Sequence, residues 1–309
     1  VVGTAIIIAR ESDPSKGRIL VLEVVENKMV LVHEVTVKGA VYQVRGFHGK
    51  LLACINNKVQ LFKWQEKELL LDCTAYGFTI ALKIDIVGNY ILVGDLMKSV
   101  SVLEYKPDEC RIVNVGTDFE SKWTLATIAL DADTYLTAEN SFNLYTTRKG
   151  KSESGSAEAN EVLNDVDRQR LEIVGEFHLG EQVNAFARGS LVMHMPDTNN
   201  HQIKTVLCGC LSGAIIVVAS LPSDRFQKLQ ALQNAMNKVV KGVGGLSHDT
   251  WRNFSNEKKF NEPHHNFLDG DLIETFLDLK RDKMQEVANI MGEPAEALYK
   301  TVEEIARLH

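Results

Sequence analysis

Four short apolar runs in this chain each end in a small residue, and they recur at intervals that point to a repeating β architecture. They are Leu51-Leu52-Ala53-Cys54, Ile91-Leu92-Val93-Gly94, Tyr135-Leu136-Thr137-Ala138 and Val206-Leu207-Cys208-Gly209, and Val1-Val2-Gly3 reads as a further copy. Each of the four is followed, about five positions on, by a residue that opens another strand: Val59, Ser99 or Val100, Phe142 or Asn143, and Ala214. The anchors Gly3, Cys54, Gly94, Ala138 and Gly209 are spaced by 51, 40, 44 and 71 residues. A unit of about 40–50 residues holding four strands has the period of a propeller blade. The last gap carries two polar insertions, Arg148 to Gln169 and Pro196-Asp197-Thr198-Asn199-Asn200, which read as solvated loops.

Between the anchors, β-branched and apolar runs such as Arg18 to Val25, Met29 to Val32 and Val59 to Phe62 alternate with turn-forming pairs. These pairs are Glu26-Asn27, His48-Gly49, Asn56-Asn57 and Gly88-Asn89. No helical stripe interrupts them, which disfavours a parallel α/β sheet. The small anchor has a physical reason, because inner strands crowd toward a propeller axis and a Gly, Ala or Cys lets them pack closely. Residues 1–221 are therefore expected to be mainly β: a partial β-propeller of about five blades, WD40-like in architecture. Open rings leave strand edges unpaired. The chain starts on Val1-Val2-Gly3-Thr4, already in a strand, so it is expected to be a piece of something longer.

At Leu221-Pro222-Ser223 the period changes. Phe226, Leu229, Leu232, Met236, Val239 and Val243 recur at three- and four-residue steps, one face of a helix, with Gly242-Val243-Gly244-Gly245 to end it. After a polar stretch at Glu257-Lys258-Lys259, a second helix is expected at Leu272, Ile273, Phe276 and Leu277. A third follows at Met284, Val287, Ile290 and Met291. A fourth has Pro294 in its first turn and Ala295, Leu298, Val302 and Ile305 as its face. Residues 222–309 thus read as a small α-helical domain that docks on the blades.

Composition excludes more than it assigns. The net charge is −7 and no segment is dense in Lys or Arg, which argues against direct nucleic-acid binding. The five cysteines, Cys54, Cys73, Cys110, Cys208 and Cys210, contain no CxxC pair and read as reduced, mostly buried thiols of the nucleus or cytoplasm. No apolar run is long enough for a membrane span, and no signal peptide is visible.

No catalytic constellation stands out. Gly242 to Gly245 follows a helix, whereas a phosphate loop follows a strand and opens one. His264-His265 reads as an exposed loop, since two adjacent histidines cannot fix a metal. Ser190 and Ser212 lack a nucleophile-elbow pattern. The cluster Asp269, Asp271, Glu274 and Asp278 suits helix capping, by Asp269 or Asp271, with a partner contact and, after it, catalysis as the alternatives. Asp131-Ala132-Asp133 suits a turn, with a metal site as its alternative. The expectation is no enzyme, no cofactor and no metal. A propeller enzyme would need converging acids and bases.

Particular segments carry a resemblance: Gly39-Ala40-Val41-Tyr42, Gly49-Lys50-Leu51-Leu52-Ala53, Ile91 to Ser99, Ala138-Glu139-Asn140-Ser141-Phe142-Asn143-Leu144, Phe177-His178-Leu179-Gly180-Glu181 and Gly189-Ser190-Leu191-Val192-Met193. The helical part adds Lys238-Val239-Val240-Lys241-Gly242-Val243-Gly244, Trp251-Arg252-Asn253-Phe254 and Phe267 to Asp278. Over essentially its whole length the chain resembles the C-terminal part of the large subunits of UV-damaged-DNA-binding complexes, which are adaptors of cullin-4 RING ubiquitin ligases. The resemblance implies three propellers and a C-terminal helical domain. This chain would supply most of the third propeller and that domain, while cullin-4 is held by a propeller absent here. It implies a cleft that grips an inserted helical segment of WD40-type substrate receptors and of the damaged-DNA-binding small subunit, in nucleus and cytoplasm, with DNA met only indirectly.

Cleft positions of the family map onto Ile80, Leu82, Leu96, Met97, Lys98, Trp123, Asn140, Asn184 and Leu211, with Trp123 and Met97 as the main anchors. The alternative is that several of these are ordinary core residues. The chain departs from the family at Lys83, where Tyr is usual, at Gln182, where Phe is common, and at Thr124-Leu125-Ala126-Thr127. A related three-propeller scaffold of splicing or polyadenylation complexes is the competing assignment.

Overall fold

The computed structural model describes residues 1–150, 169–192, 203–252 and 264–308. The insertions expected at Arg148 to Gln169 and Pro196 to Asn200 lie outside these residues, apart from the ends of the first: Arg148 and Lys149 belong to a strand, and Gln169 to a turn. Asn253, Phe254 and the stretch Glu257-Lys258-Lys259 also lie outside them.

The described strands form five antiparallel meanders, the blades of a propeller-type fold. The first sheet has three strands, β1 (Val2–Ile6), β2 (Lys16–Val25) and β3 (Lys28–Val37). Next come β4 (Val41–Phe47), β5 (Lys50–Ile55), β6 (Lys58–Gln65) and β7 (Glu68–Tyr76), then β8 (Ala81–Val87), β9 (Tyr90–Asp95), β10 (Val100–Lys106) and β11 (Arg111–Thr117). The fourth blade holds β12 (Thr124–Ala129), β13 (Thr134–Glu139), β14 (Asn143–Lys149) and β15 (Leu171–His178). The fifth has three strands, β16 (Val183–Arg188), β17 (Thr205–Cys210) and β18 (Ile215–Ala219).

The chain divides into two compact units, Val1–Ser141 with Thr146–Ile173, and Phe142–Tyr145 with Val174–His309. In the first, the second and third blades are packed on both sides, which explains why β5 and β9 read as unbroken apolar runs rather than alternating ones. Ala53 and Ile55 of β5 pack with Ile19 and Val37 of the preceding sheet. Leu52 and Cys54 of the same strand pack the other way, with Ile84, Ile91 and Val93. Leu92, Val100 and Val102 then meet Ala129, Tyr135 and Leu171. The innermost strands are also cross-tied: Gln43 Oε1 accepts from Ile84 N at 2.6 Å, and Asp85 Oδ2 from Ala129 N at 2.8 Å.

The small anchors have a defined neighbour. A Cβ at Gly94 would lie 2.6 Å from Cγ2 of Thr124, and one at Gly3 would lie 2.4 Å from Cγ1 of Val41. In each case a strand of one sheet abuts the first strand of the next, so a side chain has no room there. The closest atoms belong to side chains, with the Val41 carbonyl next at 3.2 Å from the Gly3 position, whereas Gly209 meets only the Ala185 carbonyl, at 3.8 Å.

A second repeat is invisible in sequence. The first strand of every four-stranded blade, and β16, carries a bulge near its start, between Val41 and Gln43, Ala81 and Lys83, Thr124 and Ala126, and Val183 and Ala185. Each bulge sits opposite an anchor: Cys54 pairs with Gln43, Gly94 with Lys83, Ala138 with Ala126 and Gly209 with Ala185. The bulged residues are thereby Tyr42, Leu82, Leu125 and Asn184, re-aimed relative to the strand alternation.

In the second unit, α1 (Ser223–Val239) starts after Pro222 and buries Leu229, Leu232, Met236 and Val239. It is followed by a short helix, α2 (His248–Arg252), then α3 (Gly270–Glu274), which runs on as a 3-10 turn over Thr275–Asp278, α4 (Arg281–Met291) and α5 (Ala295–Ala306). Ile273, Phe276, Val287, Leu298 and Val302 close this core. The helix at His248–Arg252 lacks the apolar periodicity that signals a helix and is not foreseen from sequence. Pro294 is the residue capping α5 rather than a member of its first turn.

Candidate partner-binding rim

One backbone hydrogen bond recurs in four blades. The residue after the second strand donates its N–H to the carbonyl of the residue before the first: Asn56 to Ala40 at 3.2 Å, Leu96 to Ile80 at 2.9 Å, Asn140 to Trp123 at 3.1 Å, and Leu211 to Gln182 at 2.8 Å. In an up-and-down meander, the segment entering the first strand and the turn leaving the second lie at the same end. The bond therefore marks one rim of each blade.

Of the residues inferred from sequence, Ile80, Leu96, Met97, Lys98, Trp123 and Asn140 stand at this rim in the first unit, and Leu82 is the bulged residue one step inside it. In the second unit Leu211 holds the position equivalent to Leu96, and Asn184 the one equivalent to Leu82. Met97 is 48% exposed, Trp123 46% and Leu211 66%, values that do not fit core side chains. Lys98, Asn140 and Asn184 are exposed, while Ile80, Leu82 and Leu96 are half-buried.

Sequence reasoning passes over two aromatics of the same rim. Tyr76 (72% exposed) ends β7, and Phe119 (51%) lies between β11 and β12. Their signal is an aromatic next to turn or charged residues, as in Tyr76-Gly77 and Asp118-Phe119-Glu120. Phe142, in the turn before β14, is also exposed, with a left-handed φ of 65°.

The segment that presents Trp123 is braced from below. Ser99, itself at φ 55°, donates its N–H to the carbonyl of Lys122 at 3.1 Å, and its hydroxyl to Asp118 Oδ2 at 2.5 Å. Burial pushes the Asp118 carboxyl above its usual range, although the Ser99 hydroxyl and Lys122 pull the other way. Thr124 Oγ1 donates to the Ser99 carbonyl at 3.0 Å. The unusual Thr124 thus has a structural task, and the Thr127 hydroxyl pairs with that of Thr137 at 3.1 Å.

A second polar cluster belongs to the helical unit. Asp269 caps α3 by accepting from Leu272 N, as its position in sequence suggests. It also accepts from His248 Nε2 and Arg252 Nε, each at 2.7 Å. Arg252 carries this pair to the carbonyls of His178 and Leu179, at 2.8 and 3.2 Å, while stacking over Phe177. Burial by itself would raise the Asp269 carboxyl, but the bond from His248 and the Arg252 guanidinium outweigh it and hold the pKa down to about 2. His264 and His265 do not form an exposed loop: both are half-buried, and His265 makes a two-bond backbone bridge with Glu176. The bridge uses main-chain atoms, so no pattern of side chains announces it.

Among the described residues no group of His, Cys, Asp or Glu is arranged to hold a metal ion, and no helix is long and apolar enough to cross a membrane. Asp131 is a turn residue, its carboxylate accepting from the N–H groups of Asp133 and Thr134. The five thiols are free: Cys54 and Cys208 are buried, Cys73 and Cys210 partly so, and Cys110 is exposed. Burial pushes Cys208 up to about 12 and Cys73 to about 11, far from thiolate reactivity at neutral pH.

Comparison with known proteins agrees with this architecture. Residues 1–278 match the family model described as the CPSF A subunit region. The whole chain is 49% identical to DNA damage-binding protein 1 of Solanum lycopersicum, and 48% identical to DNA damage-binding protein 1a of Arabidopsis thaliana and to DNA damage-binding protein 1 of rice, Oryza sativa subsp. japonica. It spans 28% of the length of each of these relatives.

Proposed function

The chain belongs to the CPSF A subunit region family, and from that premise we propose that it is a receptor-binding adaptor module which works by gripping other proteins rather than by catalysis. The rim of the first unit takes an inserted helical segment of a WD40-type substrate receptor, or of the damaged-DNA-binding small subunit. The intact protein then links that receptor to a cullin-4 RING ubiquitin ligase, through a propeller outside this chain, in nucleus and cytoplasm. The observation that carries this reading is the half-exposed pair Met97 and Trp123, large apolar side chains held out by segments whose backbone is bonded from beneath. Exposed anchors of this kind dominate the energetics of helix-in-groove contacts. The names of the relatives favour this reading over a splicing or polyadenylation scaffold, because all three are named for damaged DNA.

Trp123→Ala tests it cleanly. The structural bond of Trp123 is made by its carbonyl, which the substitution keeps. Pull-down from the intact protein should lose substrate receptors and keep the cullin. Receptors captured as well by the variant as by the wild type would refute the rim assignment.

A further inference from the structure

We infer that Asp95 is the positioning residue of this rim. Asp95 is 1% exposed, and its carboxylate accepts four backbone N–H groups. Oδ2 takes Thr79 N at 2.6 Å and Ile80 N at 3.2 Å; Oδ1 takes Met97 N at 2.8 Å and Lys98 N at 2.9 Å. One side chain therefore fixes both segments that carry Ile80, Met97 and Lys98. The two are joined again by Lys98 Nζ, which donates to the Gly77 carbonyl at 2.8 Å. The neighbouring segment is drawn in through Ser121 Oγ, which donates to the Met97 carbonyl at 3.2 Å.

Blade closure does not demand this carboxylate. The residue before Asn56 is the equivalent of Asp95, and it is Ile55, fully buried and apolar. The closing bond from Asn56 to Ala40 forms there all the same. A buried anion is costly unless its acceptor sites are filled, and here four amides fill them. What the carboxylate adds is a fixed course for the turn, so that Met97 meets a partner without first losing the freedom of a loose hairpin. Pre-organisation of that kind lowers the entropic cost of binding.

The inference rests on the rim reading above, and its experiment separates the two. In the intact protein, Asp95→Ala and Asp95→Asn are compared by amide hydrogen exchange and by affinity for the purified damaged-DNA-binding small subunit. Asp95→Ala should speed exchange at Thr79, Ile80, Met97 and Lys98 by at least about tenfold and leave Leu92 and Val93 of β9 protected. Affinity should fall by about tenfold, and Asp95→Asn, which keeps the shape and one acceptor oxygen, should recover part of it. If β9 opens in Asp95→Ala, the same two readings in Asp95→Asn decide. Four amides that stay protected would overturn the role of Asp95. So would freed amides with unchanged affinity, when Trp123→Ala does weaken binding. Unchanged affinity in both Asp95→Ala and Trp123→Ala would instead overturn the rim reading and, with it, this inference.

Discussion

At the scale of single residues, burial and hydrogen bonding decide what each carboxylate does. Asp131 is exposed and serves a turn, and Asp118 is buried with its proton affinity raised. Asp269 is buried as well, yet is held at about 2 by His248 and Arg252. Its folded pKa lies below the ordinary value of about 4, so its stabilisation is complete above that value and is lost as pH falls through about 2. The fall from 3.8 to about 2 corresponds to roughly 2–3 kcal/mol. Asp269→Asn should therefore destabilise the helical unit at pH 5 and blunt its further loss between pH 5 and pH 2, read by urea-dependent hydrogen exchange at Leu232 and Met236. A wild-type profile that is flat between pH 5 and pH 2 would contradict the pairing. Arg252→Ala leaves the carboxylate buried without its cation and should cost more, about 3–5 kcal/mol.

At the scale of elements, the blade is defined by the pairing of a bulge with a small residue. Gly94 is small because β12 of the next blade presses on it through the Thr124 methyl. Gly94→Ala should destabilise by about 1–3 kcal/mol through overpacking. Thr124→Ser removes the methyl and keeps the hydroxyl that bonds the Ser99 carbonyl. A double-mutant cycle by chemical denaturation should thus show at least half of the loss recovered. Additive losses would mean that the contact does not limit the size of residue 94. The helices obey the same logic from the opposite side: α1, α4 and α5 are legible because their buried residues follow the helical period. The helix at His248–Arg252 is held by Arg252 and His248 reaching Asp269, a contact that leaves no periodic trace.

At the scale of the whole chain, charge separates protein partners from nucleic acid. The net charge of −7 comes without a segment dense in Lys or Arg, which disfavours the phosphate neutralisation that drives duplex binding, and binding to DNA is the direct measurement of it. In fluorescence anisotropy at physiological salt, the chain alone should show no saturable binding to a UV-damaged duplex below about 10 μM, the middle of the range of non-specific affinities. Submicromolar binding without the small subunit would show that DNA is met directly.

The mainly β character of the first part, the repeat and its small anchors, the change of period at Ser223 and a cap at Asp269 or Asp271 were all determined by sequence alone, because each is a local pattern repeated or bounded within a few residues; the choice of Asp269 was made by the fold. The exposed Met97 and Trp123 were legible only through family resemblance, since an apolar residue in sequence does not say whether a neighbouring blade covers it. Tertiary structure alone decided that Tyr76 and Phe119 reach the surface beside them, that Asp95 collects four amides, and that His264 and His265 are drawn inward. Each of these depends on backbone groups or on side chains far apart along the chain, and no period of two or of 3.6 encodes such a meeting.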